Sequence, residues 1–460
     1  MTDTLLKLIG YNHTLIRNIS PKWASTIIAH ALSYDSDPTD IILVAAKYGA
    51  ANILDVTLTI SEYIKTECFV DINKCSSTAC DMSAKSGNFK CLKIARARGC
   101  IWSDTTCEYA AGSGHLDMLK WIRANGGEWD EQTCAGAAKH NRIEILKWLH
   151  ENKCPWDEWA CAFAAMGGGL KTLKWLRNAG CPWDSKVCSF AVKGGHFDVL
   201  KWARSQSPPC LWDASVCEAA SYAGRQDILE WARAQDPPCE WSPSTCSNAA
   251  RTNNLTMLKW LRAQDPPCPW NSVTCRLAAG DGHFQVLKWL RAQDPPCPWD
   301  EHTVMYAAQH GSLEMVEWLY SQNCPWGNWT FANTTLEILK FAKKNGYVHA
   351  QNHRICANAA QYGKFDMLQW AVHEFVWDKS KCCELAAFSG RIDILKWARA
   401  QNCPWTKQTC INAAQSGHLD LLKWARANGC EWDKSVCKYA DACGHYHVLK
   451  WAILNGCPRE

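Results

Sequence analysis

The amino-acid sequence predicts an all-α protein built as a solenoid, in which short helix-turn-helix repeats stack on one another. Two residue types are far above their usual frequency, with 27 tryptophans and 28 cysteines among 460 residues. Both recur along the chain at a fixed period, most often 27 residues. A period of this length is typical of units that cannot bury their own apolar faces and must stack to do so.

The first periodic residue is a tryptophan that follows Cys-Pro or a variant of it, which we call the anchor tryptophan. The anchors are Trp102, Trp129, Trp156, Trp183, Trp212, Trp241, Trp270, Trp299, Trp326, Trp377, Trp405 and Trp432. From Trp183 to Trp299 the spacing is 29, because each unit gains a Pro-Pro pair. We place these pairs in loops.

A second tryptophan series lies nineteen residues after the anchor wherever the register does not slip. Its members are Trp121, Trp148, Trp175, Trp202, Trp231, Trp260, Trp289, Trp318, Trp370, Trp397, Trp424 and Trp451. The two series hold 24 of the 27 tryptophans, so they define the repeat. We expect the second series, with Trp289 in mid-array as its example, to be buried between helices.

The unit that runs from Trp102 to Glu128 shows how each repeat folds. The residue after an anchor is mostly Asp, Ser, Asn or Thr, whose side chains accept hydrogen bonds from free N–H groups at a helix start. The first helix carries Cys107 and the pair Ala110-Ala111, and Gly114 breaks it. A second helix follows with apolar residues at the 3.6-residue period and ends at Gly126.

The repeats divide the chain into regions. Residues 75–457 form the solenoid, with about fourteen units, and it is irregular near residues 326–351, where we expect a local kink. Residues 41–74 form a degenerate repeat. Residues 1–40 show no register and are expected to form capping helices, which a solenoid needs to cover its end.

The stretch Ala-Ala-x-x-Gly-His resembles the ankyrin repeat, most clearly at Ala278–His283 and Ala413–His418. The common ankyrin repeat has 33 residues, and this one is six residues shorter. The shortening falls where ankyrins extend a β-hairpin finger, so the resemblance implies an ankyrin-like solenoid with much reduced fingers. Tryptophan-rich repeats of this kind resemble those of large DNA viruses of amoebae, which implies a viral protein in the host cytoplasm.

Composition limits the compartment and the partners. The formal net charge is +4, too small to indicate nucleic acid or an anionic membrane by itself. No apolar run approaches the ~18 residues of a membrane span, and the first ten residues lack a signal-peptide pattern. We therefore expect a cytoplasmic protein that is not secreted, in a reducing compartment, with no membrane partner.

The cysteines admit a metal or disulfide interpretation and a packing interpretation. Pairs such as Cys154 and Cys161 repeat at a seven-residue separation, but no Cys-x-x-Cys occurs. Zinc sites usually show tighter pairs. We therefore predict reduced, buried cysteines and no metal or other cofactor.

Nucleic-acid binding has one signal, a basic ladder on the second helices. It is formed by Lys120 with Arg123, Lys174 with Arg177, Lys201 with Arg204, Lys288 with Arg291, and Lys423 with Arg426. Acidic residues three positions before the lysine are expected to pair with it. These are Asp117, Glu144, Asp198, Asp227, Glu314, Asp393 and Asp420. Nucleic acid is therefore disfavoured as a partner.

Histidines recur at the turn before the second helix, and a turn-bracing hydrogen bond explains them better than catalysis does. They are His115, His196, His283, His418 and His445. The sequence shows no unique carboxylate pair, no nucleophile with a base and no phosphate-binding loop, so we predict no enzymatic activity.

The leading functional hypothesis is a monomeric scaffold or adaptor that binds another protein. A substrate receptor of a ubiquitin ligase is the first alternative, and residues 1–40 are the segment that could supply its recruitment helix. Nucleic-acid binding through the basic ladder is the second alternative.

The candidate partner-binding residues are those of the four Pro-Pro insertions. They are Pro208, Pro209, Pro237, Pro238, Pro266, Pro267, Pro295 and Pro296. Proline fixes φ and removes an N–H donor, so four such loops in register are expected to form a stiff ridge. Neutral duplication is the alternative, because Trp260–Trp270 and Trp289–Trp299 are the same eleven residues.

Overall fold

The computed structural model describes residues 73–327, 334–348 and 354–458, with short pieces at 42, 45–47, 49–55 and 57–58 that are helical except at 49–50. The chain divides into two compact units, residues 1–241 and 242–460. The capping helices expected at residues 1–40 lie outside the described residues, as does most of the degenerate repeat at 41–74. A continuous array with ends at 75 and 457 stays a prediction.

Unit 1 is a solenoid of helix pairs, each with a first and a second helix. Its helices are α1 Asn73–Ser86, α2 Phe89–Ala97, α3 Thr106–Ser113, α4 Leu116–Ala124, α5 Glu131–Lys139, α6 Ile143–Glu151, α7 Glu158–Met166, α8 Leu170–Asn178, α9 Lys186–Lys193, α10 Phe197–Arg204, α11 Ala214–Tyr222 and α12 Gln226–Arg233. Odd numbers are first helices and even numbers are second helices.

Unit 2 continues the same alternation, with one interruption. Its helices are α13 Pro243–Arg251, α14 Leu255–Arg262, α15 Ser272–Gly280, α16 Phe284–Arg291, α17 Glu301–His310, α18 Leu313–Ser321, α19 Leu336–Lys344, α20 Arg354–Gln361, α21 Phe365–Glu374, α22 Lys379–Phe388, α23 Ile392–Ala400, α24 Lys407–Gln415, α25 Leu419–Ala427, α26 Lys434–Ala442 and α27 Tyr446–Leu454. Helix α19 is of the second type, and residues 328–333 before it lie outside the described residues. The kink expected there stays a prediction.

The all-α class is confirmed, because each unit is an array of helix pairs and no β-strand occurs in residues 73–327, 334–348 or 354–458. The link from a second helix to the next first helix is a short loop, as between α4 and α5 at residues 125–130. None of the described helices has the length and apolar character required to cross a membrane.

Most first helices begin where the sequence places them, at the residue after the anchor. The Asp130 carboxylate accepts from the backbone N–H of Gln132 and Thr133, which satisfies donors that the helix leaves free. Two positions differ. The N-cap of α3 is Thr105 instead of Ser103, and that of α9 is Ser185 instead of Asp184. Asp184 still accepts from the N–H of Lys186 at 2.9 Å, so it serves the same helix end.

The turn between the two helices of a repeat depends on glycine where the next repeat approaches closely. Gly168 has φ +68°, and a Cβ at this position would lie 2.4 Å from the His196 ring. The glycine therefore provides both the left-handed backbone conformation and the space for the neighbouring histidine.

The core lies between successive pairs. First helices pack on the first helices of neighbouring repeats, for example α5 on α7 and α7 on α9. The paired small residues, such as Ala164 and Ala165, are fully buried and permit this close approach. Second helices contribute larger apolar residues, such as Leu173 and Leu176, which are also fully buried. Small residues on one helix and large ones on the other fill the space between the pairs.

Candidate binding surface of the first helices

The cysteines belong to the core. Of the 26 described cysteines, 25 are buried and only Cys443 is exposed. In eight of the anchored repeats the cysteine before the anchor donates its S–H to a backbone carbonyl at the start of the preceding first helix, as Cys181 does to the Asp157 oxygen at 3.4 Å. Burial raises the pKa of the Cys107 thiol to about 12, so this thiol is neutral at physiological pH.

Cysteines also meet in pairs across the repeat. The Cys161 thiol contacts Cys181, and this contact together with burial raises the pKa of Cys161. Cys275 and Cys297 form an equivalent pair. Within the described ranges, no three side chains of Cys, His, Asp or Glu come together as a metal site would require. The reduced, metal-free state stays a prediction.

The two tryptophan series meet within each repeat. Trp129 and Trp148 lie edge to face with ring centroids 5.5 Å apart, and Trp270 and Trp289 do so at 6.3 Å. The expectation that Trp289 is buried between helices is wrong, since it is only half-buried. Leucine and alanine fill the interior, and the indoles cover its edge because their large rings reach across the loop to the anchor.

The arginines of the basic ladder are part of this framework. Each stacks over the next anchor tryptophan, with the guanidinium carbon 3.9–4.3 Å from the ring centroid. The pairs are Arg96–Trp102, Arg123–Trp129, Arg177–Trp183, Arg204–Trp212, Arg233–Trp241, Arg262–Trp270, Arg291–Trp299, Arg399–Trp405 and Arg426–Trp432.

The same guanidinium groups close the loop to the next repeat. Arg177 donates to the carbonyl oxygen of Cys181 at 2.6 Å, and Arg262 donates to that of Cys268 at 2.6 Å. Each arginine therefore holds the backbone beside the anchor while it covers the anchor ring. These guanidinium groups are therefore held by contacts within the fold and are not free to bind a partner.

The expected pairing between lysines and acidic residues is mostly replaced by other contacts. Glu144 and Lys147 form the predicted pair at 2.9 Å. Asp227 and Asp393 instead pair with arginines two residues earlier, Asp227 with Arg225 at 2.6 Å. Lys120 and other lysines lie over the tryptophan of the next second helix, at 5.9 Å for Lys120. Neutralisation by the acids is therefore incomplete.

The turn histidines brace neighbouring repeats in part as expected. His283 bonds the carbonyl oxygen of Arg251 at 2.8 Å, and His418 bonds that of Phe388 at 3.2 Å. In the last described repeat a different histidine, His447 inside α27, bonds the carbonyl oxygen of Gly417 in the preceding repeat's turn at 3.1 Å. The first two bonds join a turn to the end of the preceding first helix, which is a structural role.

The Pro-Pro insertions lie where the sequence placed them, in the loops that follow second helices. All eight prolines are exposed, and the cysteine after each pair is buried. The peptide bond before the first proline of each pair is cis. Their role in partner binding stays a proposal.

The surface that changes most from repeat to repeat lies on the first helices. We call the residue two positions after the repeated cysteine (Val304 in α17) the variable position. Its occupants are Tyr109, Gly136, Phe163, Phe190, Ala219, Asn248, Leu277, Tyr306, Asn358, Leu385, Asn412 and Tyr439. All except Ala219 are half-buried or exposed. Packing therefore requires a helix at this place in each repeat but does not require a particular residue type at the variable position.

In unit 1 this surface carries a cluster of aromatic residues and lysines that the sequence reading missed. Trp159, Phe163 and Phe190 are half-buried, with ring centroids 5.6–5.8 Å apart. Lys186, Lys193 and Lys139 lie over these rings. We call these six residues the aromatic–lysine patch.

One signal in the sequence could have revealed the patch. Trp159 belongs to neither tryptophan series, and it stands three residues after its anchor, an offset at which only Trp329 matches it among the twelve anchored units. A residue that departs from a strict repeat is not explained by the packing that the repeat preserves. Contact between Trp159 and Phe190 depends on how two repeats stack.

Comparison with known proteins found similar solved structures but no matching family. No protein-family model matches this sequence, and no curated protein matches it either. Among solved structures, the chain is similar to the pentatricopeptide repeat protein PPR10 in complex with an 18-nt psaJ RNA element, with 11% identity and a TM-score of 0.34. That match covers 99% of this chain and 74% of the other. PPR10 from maize matches at 12% identity and TM-score 0.34, over 99% of this chain and 84% of that chain.

Our expectation that nucleic acid is disfavoured as a partner is corrected. The matched helical-repeat structures include one in complex with an RNA element. The physical premise also fails, because the acids expected to neutralise the ladder mostly do not pair with its lysines. At a TM-score of 0.34 the likeness itself says nothing further about function.

Proposed function

We propose that this protein is a non-enzymatic scaffold that binds a macromolecular partner across the exposed surface of its first helices. The variable position carries this proposal. It is occupied by tyrosine, phenylalanine, leucine, asparagine, glycine or alanine in successive repeats, while the residue that follows it is a fully buried alanine in every one of them. Repeat proteins commonly place recognition residues on such an extended surface.

The second helices support the proposal by contrast. Their tryptophans, arginines and leucines are engaged within or between repeats, so the same residue types recur for packing reasons. Arg291, for example, covers Trp299 at 3.9 Å and donates to the carbonyl of Cys297. A side chain held this way has less freedom to change with a partner than one at the variable position.

Three finer points of the sequence reading also stand as proposals. We infer an ankyrin-like origin of the repeats from the Ala-Ala-x-x-Gly-His stretches, and with it a viral protein of the host cytoplasm. The four Pro-Pro loops are a second candidate contact surface, supported by the exposure of all eight prolines. The ligase-receptor alternative depends on residues 1–40, which lie outside the described residues.

Site-specific photo-crosslinking tests the scaffold proposal. A benzoylphenylalanine replaces Tyr109, Phe163, Tyr306 or Tyr439 in separate variants, which keeps an aromatic ring at each variable position. Matched control variants carry it at Lys120 or Lys174, exposed positions on second helices. After irradiation in a cell extract, we expect adducts with another macromolecule from the first-helix positions and few from the controls.

The opposite pattern, adducts from the controls and none from the variable positions, would show that the second helices are the contact surface. Equal labelling from all positions would show non-specific association. Circular dichroism of each variant establishes that the helices are intact before the adducts are compared.

A further inference from the structure

We propose that the aromatic–lysine patch of unit 1 binds single-stranded nucleic acid. This inference rests on the proposed function, since it names a partner class for one part of the first-helix surface. The patch brings together three aromatic rings and three lysine ammonium groups from α5, α7 and α9. Proteins that hold single strands combine these two elements, rings for the bases and cations for the phosphates.

The rings come from two adjacent first helices. Trp159 and Phe163 lie on α7 with centroids 5.6 Å apart, and Phe190 on α9 contacts both, at 5.8 and 5.7 Å. All three remain half-buried, so part of each ring is open to solvent. An apolar surface made almost entirely of aromatic rings suits planar bases, which stack without regard to sequence.

The lysines surround these rings. Lys186 lies 5.0 Å from the Trp159 centroid, Lys193 lies 4.8 Å from that of Phe190, and Lys139 lies 5.6 Å from that of Phe163. An ammonium group next to a ring can meet a phosphate of the same nucleotide whose base meets the ring. The patch can thus contact both the base and the phosphate of a single nucleotide.

Carboxylates form ion pairs with one of the three lysines of the patch, and Glu108 also interacts electrostatically with Lys139. Lys186 contacts Glu158 at 3.5 Å and also Asp184. Lys139 and Lys193 are exposed and form no ion pair with any residue of the described chain. An anionic partner of these two lysines would therefore have no ion pair to displace, although each ammonium group lies over a ring.

The charge of the surrounding sequence adds to this. Residues 139–193, which contain the whole patch, have nine lysines and arginines against five aspartates and glutamates. The chain as a whole is nearly balanced, with 49 basic and 45 acidic residues, so this segment concentrates positive charge. Such a local excess attracts a polyanion even where net charge does not.

The choice of cation favours nucleic acid over an acidic protein. Protein interfaces are enriched in arginine and depleted in lysine, whereas lysine is a common phosphate ligand. All three cations of the patch are lysines. A single strand is favoured over a duplex because bases must be unstacked to reach aromatic rings.

Binding of a fluorescein-labelled oligouridylate of about 15 nucleotides to the full chain tests the inference, by fluorescence anisotropy at low and moderate salt. The variants are Trp159→Ala, with Trp159→Phe as its conservative partner, and the double variant Lys139→Gln/Lys193→Gln. The matched control is Lys120→Gln/Lys174→Gln, which removes two exposed lysines of the second-helix ladder. An acidic peptide, oligo-glutamate of similar charge, serves as a second probe.

We expect Trp159→Ala to weaken oligouridylate binding by on the order of tenfold, and Trp159→Phe to restore most of it. The lysine double variant should lower the slope of log affinity against log salt by about 1.4, since two phosphate contacts are lost from a single strand. The ladder control should leave affinity within about twofold. Circular dichroism shows whether a variant has lost its helices.

Other outcomes overturn the inference in distinguishable ways. Oligouridylate binding that depends on the ladder control and not on the patch would move the site to the second helices. If the acidic peptide alone binds, and does so through the patch, the partner is a protein and the scaffold proposal survives. Binding of neither probe, together with crosslinks from the second helices only, would remove both proposals.

Discussion

Aromatic residues on the first helices of the repeats differ from those on the second helices in how regularly they occur and in what they contact. Second-helix tryptophans occur at a fixed period and lie edge to face with the anchors, as Trp156 and Trp175 do at 6.0 Å. First-helix aromatics occur in only some repeats: Phe163 and Phe190 hold a position that other residue types fill elsewhere, and they cluster with Trp159 on one surface of unit 1. Aromatic residues that repeat belong to the framework, and those that do not repeat mark a place where the surface has been changed.

The largest expected contrast concerns the thiols of the framework. At pH 8 in the native protein, a thiol-specific reagent should label Cys443 readily and leave the other 25 described cysteines nearly unreactive. Burial keeps the reagent away from these thiols, and it also raises the pKa of several of them, that of Cys356 to about 12, so that little of the reactive thiolate forms at pH 8. Mass spectrometry of labelled peptides checks this. Ready labelling of Cys161 or Cys275 would show that the repeats open.

The next largest effect is on stability. Leu287→Ala removes a fully buried side chain from α16 and should cost about 3 kcal/mol of unfolding free energy. The loss should stay near α16, since each repeat contacts only its neighbours. Native-state hydrogen exchange measures both its size and its extent. A loss of protection spread evenly over unit 2 would contradict the repeat-by-repeat picture.

Trp289→Ala should cost less than Leu287→Ala, about 2 kcal/mol, although it removes more atoms. Trp289 is half-buried and its main ring contact is Trp270 at 6.3 Å, so less apolar surface returns to water than for a fully buried indole. Urea denaturation of the two variants, side by side, gives the comparison. A larger cost for Trp289→Ala would mean that the tryptophan edge, and not the leucine interior, holds the repeats together.

The variant Arg291→Met tests the contribution of the Arg291 guanidinium group alone, since methionine keeps much of the apolar stem of arginine. We expect a cost of about 1 kcal/mol from the lost contact with Trp299 and the lost bond to the Cys297 carbonyl. Lys288→Met on the same helix is the control, because Lys288 lies over Phe284 and makes no such loop contact. Equal costs for the two variants would show that the arginine is not specially placed.

The smallest expected effect on folding is that of the Pro-Pro loops. Deleting the pair from all four loops should leave the helices intact by circular dichroism, because exposed loops tolerate changes of length. Binding to a partner identified by crosslinking should weaken if the loops contact it. Unchanged binding would leave neutral duplication as the explanation and confine recognition to the first helices.

Much of the fold could be predicted because the repeat period is visible in the amino-acid sequence. The N-caps at Asp130 and Asp157, the glycine turns and the buried alanine pairs all depend on residues close together in sequence. The shifts at Ser103 and Asp184 could not be predicted from residue type, since each of these side chains still caps from just outside the helix. The candidate binding surface was harder to predict, because no short stretch of sequence shows which residues of neighbouring first helices come into contact.

The sequence by itself determined the repeat, its two helices and the apolar positions between them, because helical periodicity and capping act over a few residues. Only the tertiary structure decided that the ladder arginines cover the anchor tryptophans and that most second-helix lysines lack their expected acidic partners. It also brought Trp159 of one repeat against Phe190 of the next, at 5.8 Å. Contacts of this kind depend on the offset between stacked repeats, which packing of the whole array sets.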